Sequence, residues 1–310
     1  MDQVTEESSN SAIVTSFVVS IFDFSVNLTV AIISGSAVLL SQALQGLSVL
    51  TTAGALLFGD RRSRRAPDET YQFGYGRELF FYAALAIVMM FIGTGLLSVY
   101  FGWQQLVDPS PLQAVELGIG LLTIGLLGNA FAARRSAQKL NSTHANQTLL
   151  MRAKSSLIGT KTTFVIDSIG TVAAGLGLIS LTLYAFTQNT VFDGVGSILI
   201  GLLTMSSAVL LLRDVKGLIV GRAVPPSVAE QIKTAALKVE HVQQILDLRT
   251  MYLGPQQLLV IIEVHLNDNL NTDEIEHITD TVKHQVKTEL PQARVIQVEV
   301  ETPDAELSQQ

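Results

Sequence analysis

Two aspartates lie deep inside long apolar stretches of this sequence, and they are the residues best placed to do chemistry. Asp23 is followed at helical spacing by Asn27, and Asp167 lies within the fifth stretch. An ionisable side chain inside a membrane costs about 2.5–3.5 kcal/mol on insertion scales, so such residues usually face a cavity and serve ions or protons. The alternative role for both is a polar contact between helices. Asp193 and Glu116 instead begin apolar stretches, where the helix dipole favours a carboxylate, and a structural role is predicted for them.

Six apolar stretches must position these residues. A transmembrane helix needs about 20 residues to cross the ~30 Å hydrocarbon core. The stretches run roughly over residues 12–34, 37–59, 79–101, 112–133, 157–186 and 191–213. Buried helices of a soluble protein do not explain so many long apolar runs with so few charges between them. The sequence therefore predicts an all-α membrane domain of six helices.

The basic residues predict how the chain is oriented in the membrane. Lys and Arg cluster in the loops after the second, fourth and sixth stretches, and the loops after the first, third and fifth contain none. Positive charge stays on the cytoplasmic side. The chain is therefore expected to be an integral, multi-pass membrane protein with both termini in the cytoplasm.

After residue 215 the sequence changes to the pattern of a small soluble domain. Its predicted elements, in order, are a helix opened by a Ser227–Glu230 capping box, strands near 243–251 and 257–266, a helix capped by Asn271 and Glu274, and a strand near 294–301. The two capping pairs and the alternation of apolar and polar residues support these elements. The order αββαβ predicts an α+β domain. The expected domains are residues 1–215 in the membrane and residues 216–310 in the cytoplasm.

The composition excludes several classes of protein. There are no cysteines, which excludes disulfides, thiolate metal sites and cysteine nucleophiles. The formal net charge of −7 argues against nucleic-acid binding. Hydrophobic residues make up 48% of the chain and charged residues 15%, which excludes a disordered protein. The sequence contains neither a nucleophile–base motif nor a phosphate-binding loop, so we expect no enzymatic activity and no cofactor.

Several short motifs, in this order along the chain, carry a resemblance to a known family. They are Ser34–Ala37 with Gln42–Ser48, Pro67–Glu69 with Phe73–Glu78, Phe192–Ser197, Leu218–Arg222 and Asp247–Thr250. Together with the six spans and the αββαβ tail, they resemble the cation diffusion facilitator, or cation efflux, family. The similarity covers nearly the whole chain.

The resemblance implies a homodimer whose protomers each move a divalent metal, usually zinc, out of the cytoplasm in exchange for protons. It also implies a tetrahedral transport site with two ligands from the second span and two from the fifth. Residues four apart on a helix project from one face, so two such pairs can enclose one ion. The corresponding positions here are Gln45, Val49, Thr163 and Asp167.

These residues depart from the ligand pattern of the family. A zinc site prefers nitrogen or sulfur ligands, but all five histidines lie outside the spans. One carboxylate, one amide and one hydroxyl form an oxygen-only site of low charge, which favours hard cations. In the loop before the third span, the family's aspartate position is Asp68, whereas Tyr71 and Tyr75 occupy the positions of its histidines. Zinc transport by the family's usual mechanism is therefore disfavoured.

Two functions remain open at this point. The first is a cation/proton antiporter of altered selectivity, with Asp167 as the central carboxylate, Gln45, Thr163 and Asp23 as neighbours, and Asp68 as a further metal ligand. Its partners would be a divalent cation, protons, the lipid bilayer and a second copy of the chain. The alternative is a non-transporting paralogue that has lost its metal sites and regulates, or forms a heterodimer with, another subunit.

Overall fold

The computed structural model describes residues 21–143 and 158–303. For residues 136, 139–143 and 158–167 only the helical backbone is described. The described chain forms two compact units, and the first of them comprises its residues up to Leu57 and from Ala83 to Asp214. The second unit comprises Phe58–Tyr82 and the described residues from Val215 onwards. The predicted domain limits, 1–215 and 216–310, stay a prediction.

The membrane part is helical, as predicted. Its helices are α1 (Ile21–Ser34), α2 (Ala37–Ser63), α3 (Glu78–Val107), α4 (Val115–Thr143), α5 (Ile158–Thr187) and α6 (Val191–Val220). Within the described residues, five helices are long and apolar enough to cross a membrane, and α1 is a shorter apolar helix. The start of the predicted first span, residues 12–20, lies outside the described residues. Large apolar side chains are exposed on these helices, as on α4 at Ile124, Leu127 and Phe131, which suits contact with lipid.

Helix α3 changes its winding in the middle of the span. Phe91–Leu96 forms a π-helical segment between two α-helical parts. Thr94 lies in this segment with no exposed surface, and its hydroxyl donates to the carbonyl oxygen of Leu44 on α2 at 2.9 Å. π-helical turns are rare and often occur at functional sites.

Helices α3 and α6 pack backbone against backbone. A Cβ atom added at Gly102 would lie 2.6 Å from the carbonyl oxygen of Gly194, and one added at Gly201 would lie 2.7 Å from that of Gly95. Each helix thus presents two glycines seven residues apart to the other. Small residues allow such close approach between membrane helices, so α3 and α6 form one tightly packed pair.

The C-terminal residues of the second unit have the predicted αββαβ order. The elements are α7 (Pro226–Leu237), β1 (Val242–Gly254), β2 (Gln257–Leu266), α8 (Thr272–Glu289) and β3 (Ala293–Val300). The Asn271–Glu274 capping box that opens α8 is confirmed. The Ser227–Glu230 box is wrong, because Pro225 is the N-cap of α7 and no side chain caps this helix. The fixed φ of proline suits the first helical position, so the helix begins at Pro226, two residues earlier than a Ser227 cap predicts.

The small sheet has the order β1-β2-β3. Strand β2 pairs antiparallel with β1 and parallel with β3, with Ile262 opposite Leu248 and Val298. Alternate residues of β2 are buried, from Leu258 to Leu266, because successive side chains of a strand point to opposite faces. They form one core with apolar residues of α7 and α8, among them Ile232 and Val282.

Phe58–Tyr82, which connects α2 to α3, belongs to the second unit. A Cβ atom at Gly76 would lie 3.0 Å from the Cα atom of Gly254, and the Arg77 guanidinium lies 2.8 Å from the sulfur of Met251. The connection thus packs directly against the β1–β2 hairpin.

Candidate functional site

Gln45 lines a small cavity within the membrane helices. The cavity has a volume of about 20 Å³, and its lining residues come from α2, α3, α5 and α6: Gln45, Ser48, Val49, Thr52, Met90, Ile169 and Thr204. A cavity of this size holds about one water molecule. The two second-span positions that the resemblance implies, Gln45 and Val49, are thus on its wall.

Among the described residues, the lining of this cavity combines four polar and three apolar side chains and contains no charged one. The side-chain oxygen of Gln45 and the side-chain nitrogen of Gln42 are buried and have no hydrogen-bond partner among the described residues. A buried polar group without a partner costs about 1–3 kcal/mol. The Ser48 hydroxyl contacts that of Thr94, in the π-helical segment of α3. Within the described part of the chain, no three His, Cys, Asp or Glu side chains are grouped so that they could hold a metal ion.

Thr163 and Asp167 are positions of α5, but their side chains lie outside the described residues. Ile169, two residues after Asp167, lines the cavity with Gln45. The structure therefore brings α5 to the wall of the cavity near these positions. The roles of Thr163 and Asp167 stay predictions.

Asp23 and Asn27 pair on α1 as their spacing predicts. The Asn27 amide nitrogen donates to the Asp23 carbonyl oxygen at 2.8 Å and to its carboxylate at 3.1 Å. Next to Asp23, Phe24 packs on α2, since a Cβ atom at Gly46 would lie 3.6 Å from its Cβ. Asp23 therefore sits beside the α1–α2 contact, and its role at the transport site stays a prediction.

Asp68 organises the connection between α2 and α3. Its carboxylate accepts hydrogen bonds from the Tyr75 hydroxyl at 2.5 Å and from the backbone N–H groups of Tyr71 and Thr70 at 2.7 and 3.0 Å. The hydrogen bond from Tyr75, followed by that from the Tyr71 backbone, lowers the pKa of Asp68 below its usual value. The Arg65 guanidinium lies 5.6 Å from the centre of the Tyr75 ring. The predicted role of Asp68 as a metal ligand stays a prediction.

We expect Tyr75→Phe to raise the pKa of Asp68 toward its ordinary value. Because the folded pKa is lowered, ionised Asp68 stabilises the connection above the ordinary pKa, and this contribution is lost as the pH falls through the folded pKa. In the variant the loss should begin at a higher pH. Hydrogen exchange at the Thr70 and Tyr71 amides, corrected for intrinsic rates across an acid titration, measures this difference.

Tyr71→Phe is the matched control for this titration. Tyr71 donates its backbone N–H to Asp68, and its ring lies 4.6 Å from that of Tyr75, so removing its hydroxyl leaves the hydrogen bonds of Asp68 in place. Superimposable pH profiles for Tyr75→Phe and the unmodified protein would show that the Tyr75 hydroxyl does not stabilise the carboxylate.

Asp193 begins α6 and has a structural role, as predicted, but the helix that its carboxylate caps differs from the expected one. It lies in the first turn of α6, as expected, but it is fully buried and its carboxylate accepts hydrogen bonds from the start of α2, including the Ala37 N–H at 2.7 Å. The backbone N–H groups that find a partner in Asp193 therefore belong to α2 and not to α6. The motif Phe192–Ser197 was the available signal, since two glycines, an aspartate and a serine begin an otherwise apolar helix.

Both parts of the chain match families of known domains. The cation efflux transmembrane domain matches residues 13–220, and the cytoplasmic domain of cation efflux proteins matches residues 224–301. The second match covers the αββαβ elements from α7 to β3.

Individual relatives are distant in sequence. The chain is 23% identical to metal tolerance protein C4 of Arabidopsis thaliana over 86% of its own length, and it covers 59% of that protein. It is 25% identical to the mitochondrial proton-coupled zinc antiporter SLC30A9 of Mus musculus over 72% of its length, and it covers 40% of that protein. It is 24% identical to the cation-efflux pump FieF of Yersinia pestis over 85% of its length, and it covers 83% of the pump.

Among solved structures, forms of the MamM CTD match about a quarter of this chain. The cadmium form of a MamM CTD variant aligns with 26% of this chain at 20% sequence identity. The alignment covers 98% of that structure and has a TM-score of 0.24. Several apolar helices of spanning length, followed by a small α+β domain, agree with the two domain matches. The chain is an integral multi-pass membrane protein that belongs to the cation efflux, or cation diffusion facilitator, family.

Proposed function

We propose that this chain exports a divalent cation in exchange for protons, with Asp167 as the central carboxylate of its transport site. Gln45 and Thr163 supply neutral oxygen atoms, and Asp23 is a second acid nearby. The observation that carries the proposal is the cavity lined by Gln45, which occupies a second-span ligand position that the family resemblance implies. Relatives named as a metal tolerance protein, a proton-coupled zinc antiporter and a cation-efflux pump support it.

The proposed selectivity follows from the chemistry of the cavity wall. Its described polar groups are the Gln45 amide and the hydroxyls of Ser48, Thr52 and Thr204, and none of its described residues is a histidine. Neutral oxygens with one carboxylate suit Mg²⁺, Ca²⁺ or Mn²⁺ better than Zn²⁺, which prefers nitrogen and sulfur. We therefore propose that hard divalent cations are preferred over zinc.

Proton exchange follows from the same carboxylate. Only the deprotonated form of Asp167 binds a metal ion, so metal binding releases a proton and protonation releases the metal ion. One residue can thus couple the two fluxes.

The chain is further proposed to act as a homodimer with both termini in the cytoplasm. Support for the dimer comes from the C-terminal match, whose family is named for a dimer-forming zinc-transporter domain. Support for the orientation comes from the basic residues, which cluster in alternate loops, among them Arg61, Arg62, Arg64 and Arg65 after α2.

A thermal-shift cation screen on the full-length protein tests this site. A ligand that binds only the folded state raises the melting temperature, and we expect roughly 5 °C with saturating Mn²⁺ or Mg²⁺. Asp167→Ala should abolish the shift, and Glu116→Gln, a change in the first turn of α4, should retain it. Stabilisation by zinc alone that persists in Asp167→Ala would overturn the proposed site, and no response to any cation would favour the non-transporting paralogue.

A further inference from the structure

We infer that Asp193 is a positioning residue that, together with Ser197, fastens α6 to the first turns of α2 and closes one end of the transport path. The membrane face that holds the α1–α2 and α5–α6 connections is here called the distal face. The closure lies between this face and the cavity at Gln45. The inference rests on the proposed function, since a closure of this kind has a purpose only in a transporter.

The carboxylate of Asp193 caps α2 from another helix. Its Oδ1 atom accepts from the Ser36 hydroxyl at 2.5 Å and from the Val38 N–H at 3.3 Å, and Oδ2 accepts from the Ala37 N–H at 2.7 Å. Helix α2 begins at Ala37, and its first N–H groups have no partner within the helix. A negative charge at this end also stabilises the helix dipole. Asp193 therefore holds the N-terminus of α2 through three hydrogen bonds in a fully buried place.

One turn further into the membrane, Ser197 makes a second connection. Its hydroxyl donates to the carbonyl oxygen of Ser98 on α3 at 2.8 Å and lies 2.8 Å from the hydroxyl of Ser41 on α2. Ser197 has no exposed surface. It therefore joins α2, α3 and α6 at one point.

The two glycines of the same motif make these contacts possible. A Cβ atom at Gly194 would lie 2.8 Å from the Gly102 carbonyl oxygen on α3, and one at Gly196 would lie 2.7 Å from the Ser180 Cβ atom on α5 and 2.9 Å from the Val38 side chain on α2. Asp193, Gly194 and Ser197 thus seat the first turns of α6 against α2 and α3, and Gly196 seats them against α2 and α5.

The position of these contacts indicates what they control. They involve α2 residues from Ser36 to Ser41, and the cavity begins further along α2 at Gln45. Helices α3 and α6 pack through four glycines as one pair, so α2 meets this pair through buried polar contacts on the distal side of the cavity. An ion that leaves toward the distal face requires these contacts to separate. A closure of this kind acts by shifting the populations of a closed state and an open state.

Cysteine accessibility measures this closure without any transported ion. The chain has no cysteine, so Val49→Cys places a single thiol on the cavity wall. A membrane-impermeant maleimide is added to the distal face of sealed vesicles, and the labelling rate is followed. We expect Asp193→Ala to raise the rate about tenfold, as for a minor open state that becomes well populated. Asp193→Asn, which keeps an acceptor oxygen, should raise it less.

Two further variants keep the test decisive. Ser197→Ala removes the second connection and should also raise the labelling rate, even if Asp193→Ala fails to fold. Ser207→Ala is the matched control, because this α6 hydroxyl donates to the Leu203 carbonyl oxygen of its own helix, and its rate should equal that of the parent. Unchanged labelling in folded Ser197→Ala and in folded Asp193→Asn or Asp193→Ala would overturn the inference. Faster labelling without cation flux would retain the closure and reject the proposed function.

Discussion

Replacing Gln45 and Val49 with aspartate and Thr163 with histidine is expected to create a zinc site in this protein. Gln45 and Val49 are one helical turn apart on α2, and both line the cavity. With Asp167, the changes would supply three carboxylates and one imidazole at the four positions that the family resemblance implies. Zinc binds such oxygen and nitrogen ligands tetrahedrally. We expect the affinity for zinc to rise about 100-fold, which corresponds to about 2.8 kcal/mol.

The same variant should be less stable than the unmodified protein when no metal is present. Ionisable side chains within membrane helices carry a large insertion cost, and zinc should restore the melting temperature because it binds the folded state. The variant with Asn at 45 and 49 and Gln at 163 is the control, since it changes polarity without adding charge or imidazole. Isothermal titration with zinc compares the two proteins. Equal affinities would show that these positions do not surround one site.

Much of the fold follows from patterns that are local in the sequence. Apolar length predicts the membrane helices, and alternation of apolar and polar residues predicts the β2 strand at 257–266, which is confirmed. The predicted capping box at Asn271 is also a local feature, and it is confirmed. At Ser227 two capping signals compete within three residues, and Pro226 at the first helical position prevails over the serine box.

The features that were missed depend on distant partners. Asp193 fits the local rule for an acid in the first turn of its own helix, yet it caps a helix 156 residues away in sequence. The π-helical segment at Phe91–Leu96 places Thr94 against α2, and the packing of Gly76 on the β1–β2 hairpin joins two separate parts of the chain. No periodicity in the sequence encodes such contacts, because they arise only when the helices pack.

The candidate site also combines features that the sequence predicts with features that arise only when the helices pack. The i,i+4 spacing of Gln45 and Val49 predicts a shared helix face, and both residues line the cavity. Whether the side-chain nitrogen of Gln42 and the side-chain oxygen of Gln45 find partners depends on which helices surround them, and neither finds one among the described residues. An apolar neighbour such as Ile169 on the cavity wall could not be inferred from residue type alone.

The proposed role of Asp167 is measured as cation-driven proton flux in proteoliposomes. The purified full-length protein is reconstituted with a pH-sensitive dye inside the vesicles, and a gradient of Mn²⁺, Mg²⁺ or Zn²⁺ is applied. Asp167 is proposed to supply the carboxylate that binds both metal and proton, so without it neither flux has a coupling group. Glu116→Gln is the matched control, because Glu116 lies in the first turn of α4, where a structural role is predicted.

Proton flux driven by a hard divalent cation is expected in the unmodified protein and in Glu116→Gln, and flux at the level of empty vesicles is expected in Asp167→Ala. Equal flux in Asp167→Ala and the unmodified protein would show that Asp167 does not couple the metal ion to the proton.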